Sequence, residues 1–67
     1  MGIVKVIEVI ATSNQSFDDA VRNAVKEASK TVKNIKSVYV KEMKASVDGD
    51  AITSYAVNAK ISFEIGS

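Results

Sequence analysis

From Ser16 to Val32 the chain carries a single helical stripe, and both flanks alternate with a period of two. Phe17, Ala20, Val21, Ala24, Val25, Ala28 and Val32 recur at three- and four-residue spacing, the mark of one apolar helix face. Ile3–Ala11 comes before it; Ser37–Asp48 and Ala51–Ile65 follow. The pattern predicts strand–helix–strand–strand, an α+β fold in which one helix lies on a three-stranded sheet. With 67 residues the chain makes one domain, 1–67.

The first strand is apolar on both sides. Ile3, Ile7, Val9 and Ala11 occupy its odd positions, and Val4, Val6 and Ile10 its even ones. A strand of that kind is covered on both faces, yet one helix covers only one. The third strand is the clearest. Thr53, Tyr55, Val57, Ala59, Ile61, Phe63 and Ile65 line one face, with Ser54, Ala56, Asn58, Lys60, Ser62 and Glu64 on the other. Fully extended, it reaches roughly 50 Å, whereas a helix from Phe17 to Asn34 reaches only about 27 Å. The sheet therefore needs further cover.

A chain this small obtains little stability from its own core, and the usual supplements are disulfides, metals or assembly. The chain has no cysteine and no histidine, which leaves no thiol chemistry and removes the commonest ligand of zinc, copper and haem. Assembly with copies of itself is the supplement that remains.

Local signals fix the joints. Ser16 is the expected helix N-cap, with Asp19 completing a capping box. Asp18 and Asp19 suit the positive end of the helix dipole, and Lys30, Lys33 and Lys36 the negative end. In the second strand Val38 and Val40 are even but Met43, Ala45 and Val47 odd, so a bulge is expected near Lys41-Glu42. Asp48-Gly49-Asp50 signals a tight hairpin. Strands two and three pair as that hairpin, strand one lies beside strand three, and the helix is a right-handed crossover.

Several function classes are disfavoured. A net charge of +1, from 9 basic and 8 acidic side chains, is no footprint for nucleic acid. No apolar run approaches a membrane span, and Met1-Gly2-Ile3-Val4-Lys5 lacks a signal-peptide layout. The expectation is a cytoplasmic protein. Without cysteine, histidine, a nucleophile motif or a Gly-rich phosphate loop, enzyme activity has no support.

Val4-Lys5-Val6-Ile7-Glu8-Val9-Ile10-Ala11-Thr12-Ser13, then Ser16, the alanine-spaced helix and the closing Tyr55-Ala56-Val57-Asn58-Ala59-Lys60-Ile61-Ser62-Phe63 resemble the dodecins. Ala11 stands where many members have glycine. The resemblance implies a hollow homododecamer, which matches the need for cover. It also implies a flavin pocket between subunits, with a tryptophan that stacks on the ring and a glutamine that hydrogen-bonds it. Those positions hold Ser37 and Ala56 here. Serine has no π-face, a loss of roughly 1–3 kcal/mol per stack by analogy with nucleobases, and alanine neither donates nor accepts. The flavin site is therefore expected to be lost. Tyr39, two positions after Ser37 on the same side, is the residue that an atypical riboflavin or FMN site would use.

Other dodecin-like proteins are described as binding metal, with calcium proposed. Calcium takes oxygen ligands, and Glu42, Asp48, Asp50 and Glu64 are the candidate donors. The plainer role of Asp48 and Asp50 is the turn, and that of the glutamates solvated charge. Glu8 interrupts an apolar side and needs a partner. Lys60 or Lys44 could serve, and the resemblance places a Glu8–Lys60 pair between subunits. The leading expectation is a non-enzymatic shell that sequesters a small ligand or a cation such as calcium. A flavin-storing dodecin is the alternative. A third reading is a structural module touching nucleic acid through Lys41, Lys44 and Lys60, against which the charge balance argues.

Overall fold

The computed structural model describes residues 2–66; Met1 and Ser67, the ends of the expected domain, lie outside the described residues. Strand β1 (Ile3–Ser13), helix α1 (Phe17–Ala28), strand β2 (Ile35–Asp48) and strand β3 (Ala51–Ile65) follow in that order. The sheet runs β1-β3-β2, and both pairings are antiparallel. This is the expected β-α-β-β arrangement.

Ser16 caps the helix from an extended backbone, and the Asp19 N–H donates to its Oγ at 3.0 Å. The Asp19 carboxylate does not turn back to close the expected capping box. Its Oδ2 accepts from the Ser13 hydroxyl at 2.6 Å. Ser13 Oγ in turn accepts from the backbone N–H of Gln15 at 2.9 Å and of Ser16 at 3.4 Å. Buried Ser13 thus ties the end of β1 to the first turn of α1.

The helix ends at Ala28, whereas the stripe predicted that it would run to about Asn34. Ser29 closes it, its N–H bonding back to Val25 O and its hydroxyl to Lys26 O. Lys30 and Thr31 bond to carbonyls three residues back, the tighter pattern common in a last turn. Asn34 then adopts a left-handed φ of 64°, which asparagine tolerates better than most residues, and turns the chain into β2. Val32 kept the apolar period while the backbone had already left the helix.

The stripe lies on the odd-numbered face of β3. Ala20, Ala24 and Ala28 are buried, as are Val57, Ala59 and Ile61. Ile7, Val9, Ala11, Ile35 and Val38 pack around Ala24, Ala28 and Ile61. Phe17 meets Tyr55 edge to face with ring centroids 5.0 Å apart. The alanines let the helix settle close to the sheet, but they supply little volume. The resulting core is thin.

The pairing of β2 with β3 shifts between Val40 and Glu42, leaving Lys41 unpaired at the expected bulge. A second shift, between Ser46 and Val47, leaves Thr53 unpaired, so Thr53 does not continue the apolar line of β3. Its hydroxyl instead donates to Ser46 O, and Ile52 takes its place opposite Val47. At the hairpin tip Gly49 has a φ of 67° and Asp50 does not share that sign, the pattern of a II′ turn.

The molecule is 51 Å along its longest axis, while the 12-residue helix covers only about 18 Å of it. The hairpin arm runs on past the helix, and Met43, Val47 and Ile52 are exposed there.

The joint at Ser13 carries a direct test. Ser13→Ala removes one acceptor and one donor from a buried cluster and is expected to lower stability by about 1–3 kcal/mol, read from urea melts followed by far-UV circular dichroism.

Candidate functional site

The face of the sheet opposite α1 has no cover within the chain. Antiparallel pairing arranges its side chains in rungs across β1, β3 and β2, with same-face neighbours close enough to touch. Successive rungs are Val6, Ser62 and Ser37; Glu8, Lys60 and Tyr39; Ile10, Asn58 and Glu42; and Thr12, Ala56 and Lys44. Apolar groups on this face meet water directly: Ile10 is 75% exposed, Val4 59%, Val6 54% and Tyr39 65%. Several large apolar side chains exposed on one face, interspersed with Glu8, Lys60 and Ser62, suit an interaction surface.

A groove of about 450 Å³ crosses the face, lined by Ile10, Glu42, Met43, Lys44, Ala56, Val57 and Asn58. Asn58 sits between Ile10 and Glu42. Its Oδ1 is shielded from solvent and accepts no hydrogen bond from the described residues. Most buried polar side-chain atoms have a partner, so this one stands out.

The flavin-type positions do not converge within one chain. Ala56 lines the groove, whereas Ser37 pairs with Ser62, roughly 20 Å away along β3 at ordinary strand rise. Tyr39 adjoins Ser37 on the same face and lies outside the groove lining.

The four candidate cation ligands are also dispersed. Asp48 and Asp50 flank the hairpin tip, Glu42 lies mid-strand in the groove, and Glu64 faces Val4 at the far end of the sheet. Among the described residues no three His, Cys, Asp or Glu side chains gather to hold a metal. One chain supplies at most part of a coordination shell.

Glu8 and Lys60 are directly opposed in the β1–β3 ladder, but the Glu8 carboxylate approaches Lys41 Nζ at 3.6 Å. The bulge delivers Lys41 there, and a regular ladder gives no reason to expect it. Both partners are about half exposed. Such a pair is worth about 1 kcal/mol or less within a single chain. A shorter pair, Lys30 Nζ to Glu27 Oε2 at 2.7 Å, lies on the exposed outer surface of α1. Its hydrogen bond and the lysine charge hold the Glu27 carboxyl below its usual range. It lies on the opposite side of the sheet from the groove.

Asn58, and Lys41 as the partner of Glu8, are what sequence patterns did not single out. Lys41 is left unpaired by the bulge, and Glu42 stands opposite Asn58 between that shift and the one at Ser46/Val47.

Comparison with known proteins agrees with this geometry. The family model described as Dodecin matches residues 3–66. Over 65 residues the chain is 32% identical to the calcium dodecin of Mycobacterium tuberculosis, covering 97% of this chain and 92% of that protein. The dodecin of Streptomyces coelicolor superposes with a TM-score of 0.90 at 29% identity, over 98% of this chain and 94% of the other. The crystal structure of the Mycobacterium tuberculosis protein, described as a calcium-chelating immunodominant antigen with a novel calcium-binding site, gives a TM-score of 0.81 at 31% identity, covering 96% and 91% of the two chains. Strand order, helix placement and a match running almost end to end all lead to one conclusion: the chain belongs to the dodecin family.

Proposed function

We propose that this chain assembles into a closed dodecameric shell and, without catalysing a reaction, sequesters a divalent cation, calcium foremost, in the cytoplasm. The single observation that carries the reading is the uncovered apolar sheet face. Val4, Val6 and Ile10 stand exposed beside a thin core of mostly small side chains, and a chain of this size is poorly stable without further burial. Copies of the same chain supply that burial wherever the protein occurs. No helix among the described residues is long and apolar enough to cross a membrane.

Calcium fits the donors the chain has. Asp, Glu, Asn and backbone carbonyls are its usual ligands, and the sequence offers those with no histidine or cysteine to attract softer metals. The orphaned Asn58 Oδ1 is an amide oxygen without a donor, which a hard cation satisfies as well as a hydrogen bond does. Because the carboxylates are dispersed, a full shell of ligands needs water or neighbouring copies. The calcium-chelating relative supports the choice of ion. Flavin storage finds less support, since Ser37 offers no ring to stack on and Ala56 no hydrogen bond.

Two outcomes are expected. Val4→Lys with Val6→Lys, placing two cations on the uncovered face away from the groove, reduces the assembly to small species in size-exclusion chromatography and lowers its melting temperature. In calorimetry the parent protein releases or absorbs heat with calcium chloride and leaves riboflavin fluorescence unquenched. Quenching without a calcium response favours the flavin reading, and a salt-sensitive RNA gel shift favours the interaction module.

A further inference from the structure

We propose that the tip of the β2–β3 hairpin of one copy docks head to tail on the opposite end of a second copy, where α1 closes and β2 begins, an inference that rests on the assembly reading above and adds a second contact to it. The two ends lie far apart, for the molecule is 51 Å long. Asp48 pairs with Ala51 at one end of the sheet, while Ile3 pairs with Ile65 and Ile35 with Phe63 at the other.

Charge is segregated between these ends. From Ala45 to Ala59 the chain has no basic residue, and its only charges are Asp48 and Asp50 at the tip. From Ala28 to Lys41 it has no acidic residue, and Lys30, Lys33 and Lys36 follow the helix. Glu27 engages Lys30, and Glu64, the other carboxylate at that end, shares the opposite sheet face with Val4. Lys33 and Lys36 are exposed, and neither they nor Asp48 and Asp50 form an ion pair among the described residues. Within one chain the two ends are separated by far more than the Debye length of about 8 Å at physiological ionic strength. Their opposite charges attract only between copies.

Apolar side chains accompany the charges at both ends, on the side of the sheet that carries α1. Met43, Val47 and Ile52 stand exposed along the arm, and Ile3 and Ile65 stand exposed beyond the other end of the helix. Met43 pairs with buried Val57, and alternation puts Ile65 in line with buried Ile61. An apolar patch rimmed by carboxylates thus matches one rimmed by ammonium groups, which combines burial with electrostatic complementarity. An arm-to-arm contact instead sets Asp48 and Asp50 against their own kind, and like charges in juxtaposition are penalised. The far end of a second copy is the occupant that fits. A twofold contact stops at a pair, whereas a contact between different patches runs on from copy to copy and closes into a ring when the rotation allows. A closed shell needs such a contact in addition to the uncovered sheet face.

Sedimentation velocity of the full chain over a concentration series tests the contact, with circular dichroism to confirm folding. Asp48→Lys with Asp50→Lys, and separately Lys33→Glu with Lys36→Glu, are each expected to raise the concentration needed for assembly at least about 10-fold. The fourfold variant, which exchanges the two charges, is expected to return to within about 3-fold of the parent, a rescue that mere damage to either end does not give. At about 1 M salt, where the Debye length is about 3 Å, the differences are expected to shrink. If either double variant assembles as the parent does, or the fourfold variant does no better than the doubles, the contact is overturned while assembly through the uncovered face stands. A parent that stays monomeric at every concentration overturns both. Should the lysines at the tip disrupt the hairpin, Asp48→Asn with Asp50→Asn, which keeps turn-forming residues, takes their place, and unchanged assembly there contradicts the contact.

Discussion

Everything in this fold follows from a mismatch of length between one helix and the sheet it must cover. The third strand runs for 15 residues, the helix for 12, and a strand advances about twice as far per residue as a helix does. The mismatch is larger than the apolar stripe suggests, because the helix stops at Ala28. One face of the sheet and the far end of the hairpin keep their apolar side chains without any cover from the chain itself.

The small residues on α1 sharpen the consequence. Ala20, Ala24 and Ala28 bring the helix close to Val57, Ala59 and Ile61 and exclude water there. Hydrophobic stabilisation grows with the apolar area removed from water, and alanine contributes little. Stability has to come from the surface left open, so assembly and the binding groove share one face. On the proposed reading, a ligand in that groove would lie where copies meet, and folding, association and binding would be coupled through the same side chains.

The order of elements was legible in the sequence because each rests on periodicity, and periodicity survives without knowledge of partners. The phase change from Val40 to Met43 was legible for the same reason and located the Lys41 bulge. Boundaries fared less well where a competing interaction decides. Val32 extends the helical period, yet the helix closes at Ser29, whose hydroxyl bonds to Lys26 O, before reaching it. Asp19 reads as half of a capping box, but buried Ser13 captures its carboxylate. The site is less legible than the fold. Glu42 was marked as an oxygen donor, whereas Asn58 reads only as one polar residue on an alternating strand. That its oxygen is buried without a donor appears only in the folded chain. Glu8 was expected to need a cation, and only the displaced backbone at Lys41 says which one approaches it.

Sedimentation velocity of the parent protein at micromolar concentration, combined with a thermal melt of the same sample, addresses the length mismatch most directly. A single high-mass species that loses its structure as it dissociates is the predicted result. A folded monomer that stays dispersed and melts cooperatively on its own would contradict the account, because the exposed face would then need no partner.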